Sequence, residues 1–340
     1  MKRLVILLLV VVLGIALAVF FLGPNQPGEP LATLPELAAL APADAVAVFY
    51  IDAERIRASA MLQRITRMLP VEQEEEDYAA FVRGTGFDYT RDLHRALIAL
   101  RGKKGKPSLA WVEGRFDPRK VQAYAKTAGS FVELPSSGAG KQAVFLQREK
   151  ESSSASAFQF VTDERMAWAH SEEGLEDPAR AFAAVGPLPV EMQERLRRIA
   201  GAAVFGVARL DPPAPGATER RPEDWLAEQF AGMAESMRWA SFALRAEEGR
   251  VRVQIAGECD GVMRATQLGL VMDGLHLLAR QSLQDPSTRR QMTPQQYAAF
   301  EHIVQNAAIE RESNIVYLRF DLNDALLASL ERLPAAKAPK

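Results

Sequence analysis

Four side chains late in the chain have the types and spacing of a metal site. Asp273 and His276 lie three residues apart on one face of a predicted helix, and Glu301 and His302 lie on the helix that follows. Imidazole and carboxylate groups are ordinary protein ligands of zinc and related metals. If the two helices pack together, these residues would form the centre of a metal-dependent hydrolase. The alternative is a helix pair whose polar edges face solvent.

The other motifs of the sequence carry no comparable chemistry. Ser136–Gln142 contains the Gly-Lys pair of a P-loop, but Pro135 stands where the motif needs Gly, and Gln142 where it needs Ser or Thr. The acidic run Glu72–Asp77 lacks the alternating ligands of a calcium loop and is predicted to be a solvated helix start. No G-x-S-x-G or H-E-x-x-H signature occurs. We therefore expect no cofactor, no catalytic residue and no enzymatic activity outside the four-residue candidate.

Five aspartates each stand between a predicted strand and a predicted helix: Asp52, Asp117, Asp211, Asp260 and Asp321. A carboxylate in that position accepts hydrogen bonds from the free N–H groups of a helix start. Helix capping therefore explains these residues without acid–base chemistry. The single cysteine, Cys259, ends a predicted strand and is expected to be a buried apolar side chain.

The elements that would position these residues recur in the same order. Strand-type apolar runs end at the five aspartates, and residues with helical spacing follow. The first half adds a hairpin of Leu93–Leu100 and Ser108–Gly114, and the second half one of Met237–Ala246 and Arg250–Glu258. This order predicts an internal repeat and an α+β fold, with two related halves of mostly antiparallel sheet that carry helices on one face.

Two late helices are predicted over Val262–Arg280 and Pro294–Ala308. Thr293 and Gln296 form a capping box at the start of the second helix, with Pro at its first position. An apolar stripe on the first helix is expected to face the second: Leu268, Met272, Leu275 and Ala279.

The composition divides the chain into five segments. We predict a signal anchor in residues 1–22, a proline-rich tether in 23–44, α+β domains in 45–186 and 187–334, and a disordered tail in 335–340. With 48% hydrophobic and 25% charged residues, the chain can bury a core. The net charge of −2 gives no general attraction to polyanions, so nucleic acid is not expected as a partner.

The run Leu4–Leu22 is apolar and uncharged. About twenty such residues cross the hydrocarbon core of a bilayer as a helix. Lys2 and Arg3 precede the run, and no Lys or Arg follows it before Arg55. By the positive-inside rule, we expect a single-pass protein of the bacterial inner membrane, with a cytoplasmic N-terminus and a periplasmic or extracytoplasmic body.

A cleaved signal peptide is the alternative for this run. Ala16-Leu17-Ala18 has the A-x-A form, so cleavage would follow Ala18. The next residues, Val19–Leu22, continue the apolar run instead of ending it. This continuation favours a retained anchor.

Three short segments carry a resemblance to a known group. Pro42–Ala45 leads into a strand, Gly86–Leu93 precedes a strand, and Gly114–Asp117 precedes a helix. In these segments the chain resembles uncharacterised, signal-anchored bacterial envelope proteins of unknown function, mainly over its first 130 residues. The resemblance implies export and a repeated α+β body, but no activity.

These observations favour a membrane-anchored, non-catalytic envelope protein that binds a protein, a lipid or a cell-wall component. The anchor, the tether, the repeat and the missing catalytic signature support this hypothesis. The metal-dependent hydrolase stays open as one alternative. A periplasmic carrier with a pocket for a lipid or another apolar ligand is the second.

Overall fold

The chain forms a mixed α/β structure with extensive antiparallel sheet. The structure is a computed structural model and describes residues 34–68, 76–101, 108–127, 131–134, 143–148, 153–182, 187–210 and 237–331. Its contacts define two compact units. The first unit contains the described residues of Leu31–Ala58 and Pro70–Val207, and the second those of Ser59–Leu69 and Ala208–Lys340.

Several predicted features lie outside the described residues. They are the anchor Leu4–Leu22, residues 23–33 of the tether, the loop Ser136–Gln142, Asp211 and the tail 335–340. The described residues 34–44 do not form a tether: they include the 3₁₀ helix Glu36–Leu40 and bury Leu37, Ala38 and Ala41. Within the part of the chain that the structure describes, no helix is both long enough and apolar enough to span a membrane.

The strands follow the predicted apolar runs. In chain order they are β1 (Ala45–Asp52), β2 (Leu93–Arg101), β3 (Ser108–Gly114), β4 (Val132–Leu134), β5 (Val144–Arg148), β6 (Ala155–Thr162), β7 (Arg165–Ser171), β8 (Val204–Arg209), β9 (Met237–Glu247), β10 (Arg250–Cys259), β11 (Ala308–Glu312) and β12 (Ile315–Asn323). Both predicted hairpins, β2 with β3 and β9 with β10, are confirmed as antiparallel pairs.

The helices connect these strands. After a short 3₁₀ helix at Glu36–Leu40 they are α1 (Ala53–Ala58), α2 (Ala60–Met68), α3 (Glu76–Thr85), α4 (Tyr89–Asp92), α5 (Pro118–Thr127), α6 (Pro178–Ala181), α7 (Val190–Ile199), α8 (Val262–Gln284), α9 (Pro286–Gln291), α10 (Pro294–Asn306) and α11 (Asp324–Leu330). The late helices predicted from the sequence correspond to α8 and α10. The capping box is also confirmed, since the Gln296 N–H donates to Thr293 Oγ1 at 3.2 Å and the Thr293 N–H to Gln296 Oε1 at 2.9 Å.

In the first unit the strand order is β8-β1-β2-β3-β7-β6-β5-β4. Helix α5 buries Val121 and Ala125 against an aromatic cluster of the sheet. Within this cluster the ring of Phe158 stacks on those of Phe145 and Trp168, with centroids 4.9 and 5.9 Å apart. Large planar side chains in offset contact fill this core.

The resemblance segments Gly86–Leu93 and Gly114–Asp117 contact each other at one end of the β2–β3 hairpin. Phe87 stacks on Phe116, with ring centroids 4.5 Å apart. The backbone N–H of Arg115 donates to the Asp92 carbonyl oxygen at 2.9 Å. These contacts join the start of β2 to the chain that leaves β3.

In the second unit the strand order is β11-β12-β10-β9. Helix α8 covers this sheet with the predicted stripe Leu268, Met272, Leu275 and Ala279, all buried. The stripe packs against side chains of β10 and β12. Helix α2 belongs to this unit, where Arg64 pairs with Asp324 and Glu331.

The helix-capping prediction is confirmed for two aspartates. The Arg55 N–H donates to Asp52 Oδ1 at 2.9 Å, and the Lys120 N–H to Asp117 Oδ1 at 3.2 Å. Backbone donation also holds the pKa of the Asp117 carboxyl below its usual value. These two carboxylates stabilise helix starts.

The same prediction is wrong for Asp260 and Asp321. The Asp260 carboxylate accepts from Arg238 Nε at 2.5 Å, and Gly261 takes the cap position of α8. Strand β12 continues past Asp321, which pairs with Arg250 at 2.7 Å, and Asn323 caps α11 instead. Arginines on neighbouring strands therefore hold both carboxylates.

Candidate functional site

The four candidate metal ligands make separate contacts. Asp273 lies 3.5 Å from the Arg311 guanidinium. His276 Nε2 donates to a backbone carbonyl oxygen at 3.1 Å, and Glu301 accepts from a side-chain amide at 3.4 Å. His302 Nε2 is buried without a hydrogen-bond partner, and burial lowers the pKa of the ring.

These contacts leave the predicted metal centre unassembled. Within the described ranges, which include all four residues, no group of three or more His, Cys, Asp or Glu side chains could hold a metal ion. The two helices do pack in one unit, but their polar groups do not converge. Cys259 is buried as predicted, and burial raises the pKa of its thiol, which disfavours the reactive thiolate.

A cavity of about 280 Å³ opens in the first unit beside the end of β1. Its apolar side includes Tyr50 and Phe205, whose ring centroids lie 4.9 Å apart. Burial, and next the nearby Asp52 carboxylate, raise the pKa of Tyr50 to about 12, so the phenol is neutral at physiological pH.

Four of the five charged side chains that line this cavity are already paired, and the fifth is the exposed Glu36. Asp52 lies 3.3 Å from Arg55 Nε, and Glu113 accepts from Arg165 Nε at 3.0 Å. Arg95 lies 3.4 Å from a Glu54 oxygen. A ligand would have to displace these contacts, and the volume is below the roughly 300–1,000 Å³ of typical small-molecule sites. The cavity is therefore the weaker candidate.

Helix α8 presents a second apolar surface on the side opposite the core. Met263, Leu270 and Leu277, which we call the outer row, have exposed fractions of 77%, 60% and 58%. Each residue of an α-helix advances about 100° around the axis, so residues seven apart differ in direction by only about 20°. The outer row is therefore a nearly straight apolar line along the helix.

Clustering distinguishes the outer row from ordinary surface leucines. Isolated exposed apolar side chains are normal on soluble proteins. In the described ranges, however, five of the eight exposed large apolar residues lie on α8: Val262, Met263, Leu270, Leu277 and Leu278. Exposed apolar side chains that cluster on one side of a helix favour an interaction site.

Polar residues surround the outer row. The exposed positions between and beside its members include Thr266, Gln267, Asp273 and Arg280. Asp273 on one side is held by Arg311 of β11. An apolar centre with a polar rim is the usual anatomy of a protein interface.

This surface was not predicted from the sequence, because a single apolar stripe was assigned to α8. The signal was present in the seven-residue spacing of Met263, Leu270 and Leu277. That spacing does not reveal which side of the helix the protein's own core covers. Among the described residues of its unit, the packing of α8 on β10 and β12 leaves the outer row without a cover.

Comparisons with known proteins assign neither a family nor an activity. No family model and no curated protein matches the sequence. Among solved structures, crystal form III of TP0453 is similar at 7% identity and a TM-score of 0.47, over 87% of this chain and 97% of that chain. Crystal form I gives 10% identity and a TM-score of 0.44 over 88% and 96% of the two chains. Crystal form IV gives 10% and 0.48 over 89% and 96%.

Proposed function

We propose that this protein is a membrane-anchored, non-catalytic protein of the bacterial envelope that binds a protein partner through the outer row of α8. Leu4–Leu22 is the anchor, with the N-terminus in the cytoplasm and the body in the periplasm or another extracytoplasmic space. The body consists of two related α+β halves with helices on one face. This assignment agrees with the resemblance to signal-anchored envelope proteins.

The observation that carries the proposal is the exposure of the outer row. Complete burial of a leucine or methionine side chain contributes about 1.5–3 kcal/mol relative to exposure. The three side chains of the row are each more than half exposed, so a partner that covered them would recover a large part of this energy. The partner should present an apolar helix, because a straight row fits the groove of another helix.

The anchor and tether suit a binding role. A proline-rich segment such as residues 23–33 favours extended backbone and holds a body away from the bilayer surface. Confinement to a membrane also raises the effective concentration of two anchored proteins. A modest helix surface can then bind a partner that it would not hold in dilute solution.

The test is site-specific photo-cross-linking in living cells. A photoreactive amino acid at Leu270 of the full chain should give one discrete protein adduct. Val190 on α7 is the matched control, because it is an equally apolar side chain with 66% exposure in the first unit. The same reactive group at Val190 should give no discrete adduct.

A second variant tests whether the adduct depends on the outer row. Leu277→Glu places a charge on the same line and should abolish the adduct formed from position 270, whereas Val190→Glu should leave it unchanged. Equal, diffuse cross-linking from positions 270 and 190 would contradict the proposal. Adducts with lipid alone would contradict it as well.

A further inference from the structure

We infer that the occupant of the outer row is a second copy of this chain, with the two α8 helices packed antiparallel. The inference rests on the proposed function, since it names the partner for the same surface. It follows from the spacing, symmetry and charges of α8.

The seven-residue spacing indicates a helix as the partner. Two α-helices stay in contact along their length when their apolar contacts repeat every 3.5 or seven residues, because the slow drift of the row matches a crossing angle of about 20°. Met263, Leu270 and Leu277 satisfy this repeat over residues 263–277 of α8, which continues to Gln284.

The row is also complementary to itself. Leu270 lies midway between Met263 and Leu277. A two-fold axis through Leu270 would place each Met263 against Leu277 of the second copy, and the two Leu270 side chains against each other. A closed two-fold dimer requires this kind of self-complementary patch.

The charges select the antiparallel direction. Asp273 and Arg280 are exposed beside the row. A parallel pair would place Asp273 beside Asp273 and Arg280 beside Arg280, which is unfavourable. The antiparallel pair instead places Asp273 near Gln267 of the second copy and separates the two Arg280 side chains.

Small residues near the centre allow the helices to approach closely. A Cβ atom added at Gly274 would meet no atom within 4 Å, so this side of the helix is open. The antiparallel arrangement sets Gly274 opposite Thr266 of the second copy, which pairs two small residues next to the central leucines. Insertion into a bilayer is less favourable, because it would bring the half-exposed Asp273 carboxylate toward the hydrocarbon.

Cysteine cross-linking of the full chain in isolated membranes tests this arrangement. Disulfides require Cα atoms about 4.4–6.8 Å apart. In a Cys259→Ala background, Leu270→Cys should form a disulfide-linked dimer on oxidation. Met263→Cys alone should not, because the two positions would lie about 21 Å apart along antiparallel helices. Co-expression of Met263→Cys and Leu277→Cys chains should restore the linked dimer.

Two controls accompany the cross-linking. Val190→Cys, equally exposed on α7, should give no dimer. Leu270→Glu in both copies should lower the yield of the mixed Met263→Cys and Leu277→Cys dimer at least about tenfold, since interface centres carry most of the affinity. The positions 190, 263, 270 and 277 are exposed, whereas Cys259→Ala replaces a buried side chain. Trypsin resistance equal to that of the parent chain verifies that each variant folds.

The outcomes separate this inference from the proposed function. A dimer linked through Met263→Cys alone would overturn the antiparallel arrangement. Absence of every dimer, together with a discrete adduct to a different protein from photoreactive position 270, would overturn the inference and leave the proposed function standing. Absence of both the dimer and the discrete adduct would overturn the inference and the proposed function together. Vesicle binding by the parent chain that Leu270→Glu abolishes, with no dimer, would identify a lipid surface and overturn the inference.

Discussion

Arg115 donates a hydrogen bond from its guanidinium to Asp92 Oδ1 at 2.9 Å. Arg91 donates to Oδ2 of the same carboxylate at 2.7 Å, and the Asp88 N–H donates to Oδ2 at 3.0 Å. Asp92 itself is buried. Two of the segments that carry the resemblance thus meet at one carboxylate, and their residues have a structural role at the β2–β3 hairpin.

The Asp92 carboxyl makes the free energy of unfolding of the first unit depend on pH. Hydrogen bonds from Arg91 are the main cause that lowers the pKa of Asp92 to about 2. The folded state therefore holds the proton less tightly than the unfolded chain, and the stabilisation is complete above about pH 4 and lost as the pH falls toward 2. Asp92→Asn should cost about 1–2 kcal/mol at pH 7, because the arginines are largely exposed.

Urea unfolding at pH 7 and at pH 3 measures this contribution. The loss of stability between the two pH values should be smaller in Asp92→Asn than in the parent protein. Glu176→Gln removes an exposed carboxyl elsewhere in the unit and serves as the control. An unchanged pH dependence in Asp92→Asn would disprove the assigned role.

The contact between the segments Gly86–Leu93 and Gly114–Asp117 also requires glycine at position 114. A Cβ atom at this position would lie 2.6 Å from the Asp92 carbonyl oxygen and 3.1 Å from the Phe87 ring. Backbone cannot move away as easily as a side chain, so Gly114→Ala should destabilise the protein by about 1–3 kcal/mol. In the undimerised protein, Gly274→Ala should instead stabilise the fold by about 0.5–1 kcal/mol, because this glycine lies in a helix with open space around it. Thermal unfolding of the two variants should show shifts of opposite sign, and shifts of the same sign would refute the explanation.

His302 should weaken the fold at mildly acidic pH. Burial lowers the pKa of the ring, so the unfolded chain binds a proton more readily than the folded one. The stabilisation that the neutral His302 ring provides is complete above the ordinary histidine pKa of about 6.5, and it declines as the pH falls below that value. His302→Leu should reduce the loss of stability between pH 8 and pH 5 and match the parent protein within about 1 kcal/mol at pH 8. Identical loss in both proteins would argue against this role.

The anchor is tested by fractionation. The full chain should remain in the membrane pellet after an alkaline carbonate wash, and deletion of residues 4–22 should move the body to the soluble fraction. Mass spectrometry of the intact protein distinguishes the retained anchor from the cleaved alternative. A mature N-terminus at Val19 would show cleavage after Ala18.

Local sequence patterns predicted most of the secondary structure. Alternating apolar residues located β2, β3, β9 and β10, and Thr293 with Gln296 marked the start of α10. These features depend on neighbours within a few residues of each other. The antiparallel sheet followed from the hairpins.

The predictions that were wrong concern contacts between residues that are far apart in the sequence. Asp321 looks like a helix cap in the sequence, but the register of β10 against β12 places Arg252 directly opposite it. The candidate ligands Asp273 and His276 take partners from β11 and α10, which no spacing rule specifies. The outer row was not predicted for the same reason, because the fold decides which side of α8 is buried.

The connectivity of the two units affects how the protein can be made. Strand β1 lies beside β8 in the first unit, and the Asp52 N–H donates to the Ala203 carbonyl oxygen at 2.7 Å. Helix α2 follows β1 in sequence, yet it belongs to the unit whose strands begin at Met237. During synthesis, the core of each unit can therefore be completed only after segments late in the chain have been made. A ribosome that stalls near residue 186 would leave a chain that lacks α7, β8 and the strands β9–β12.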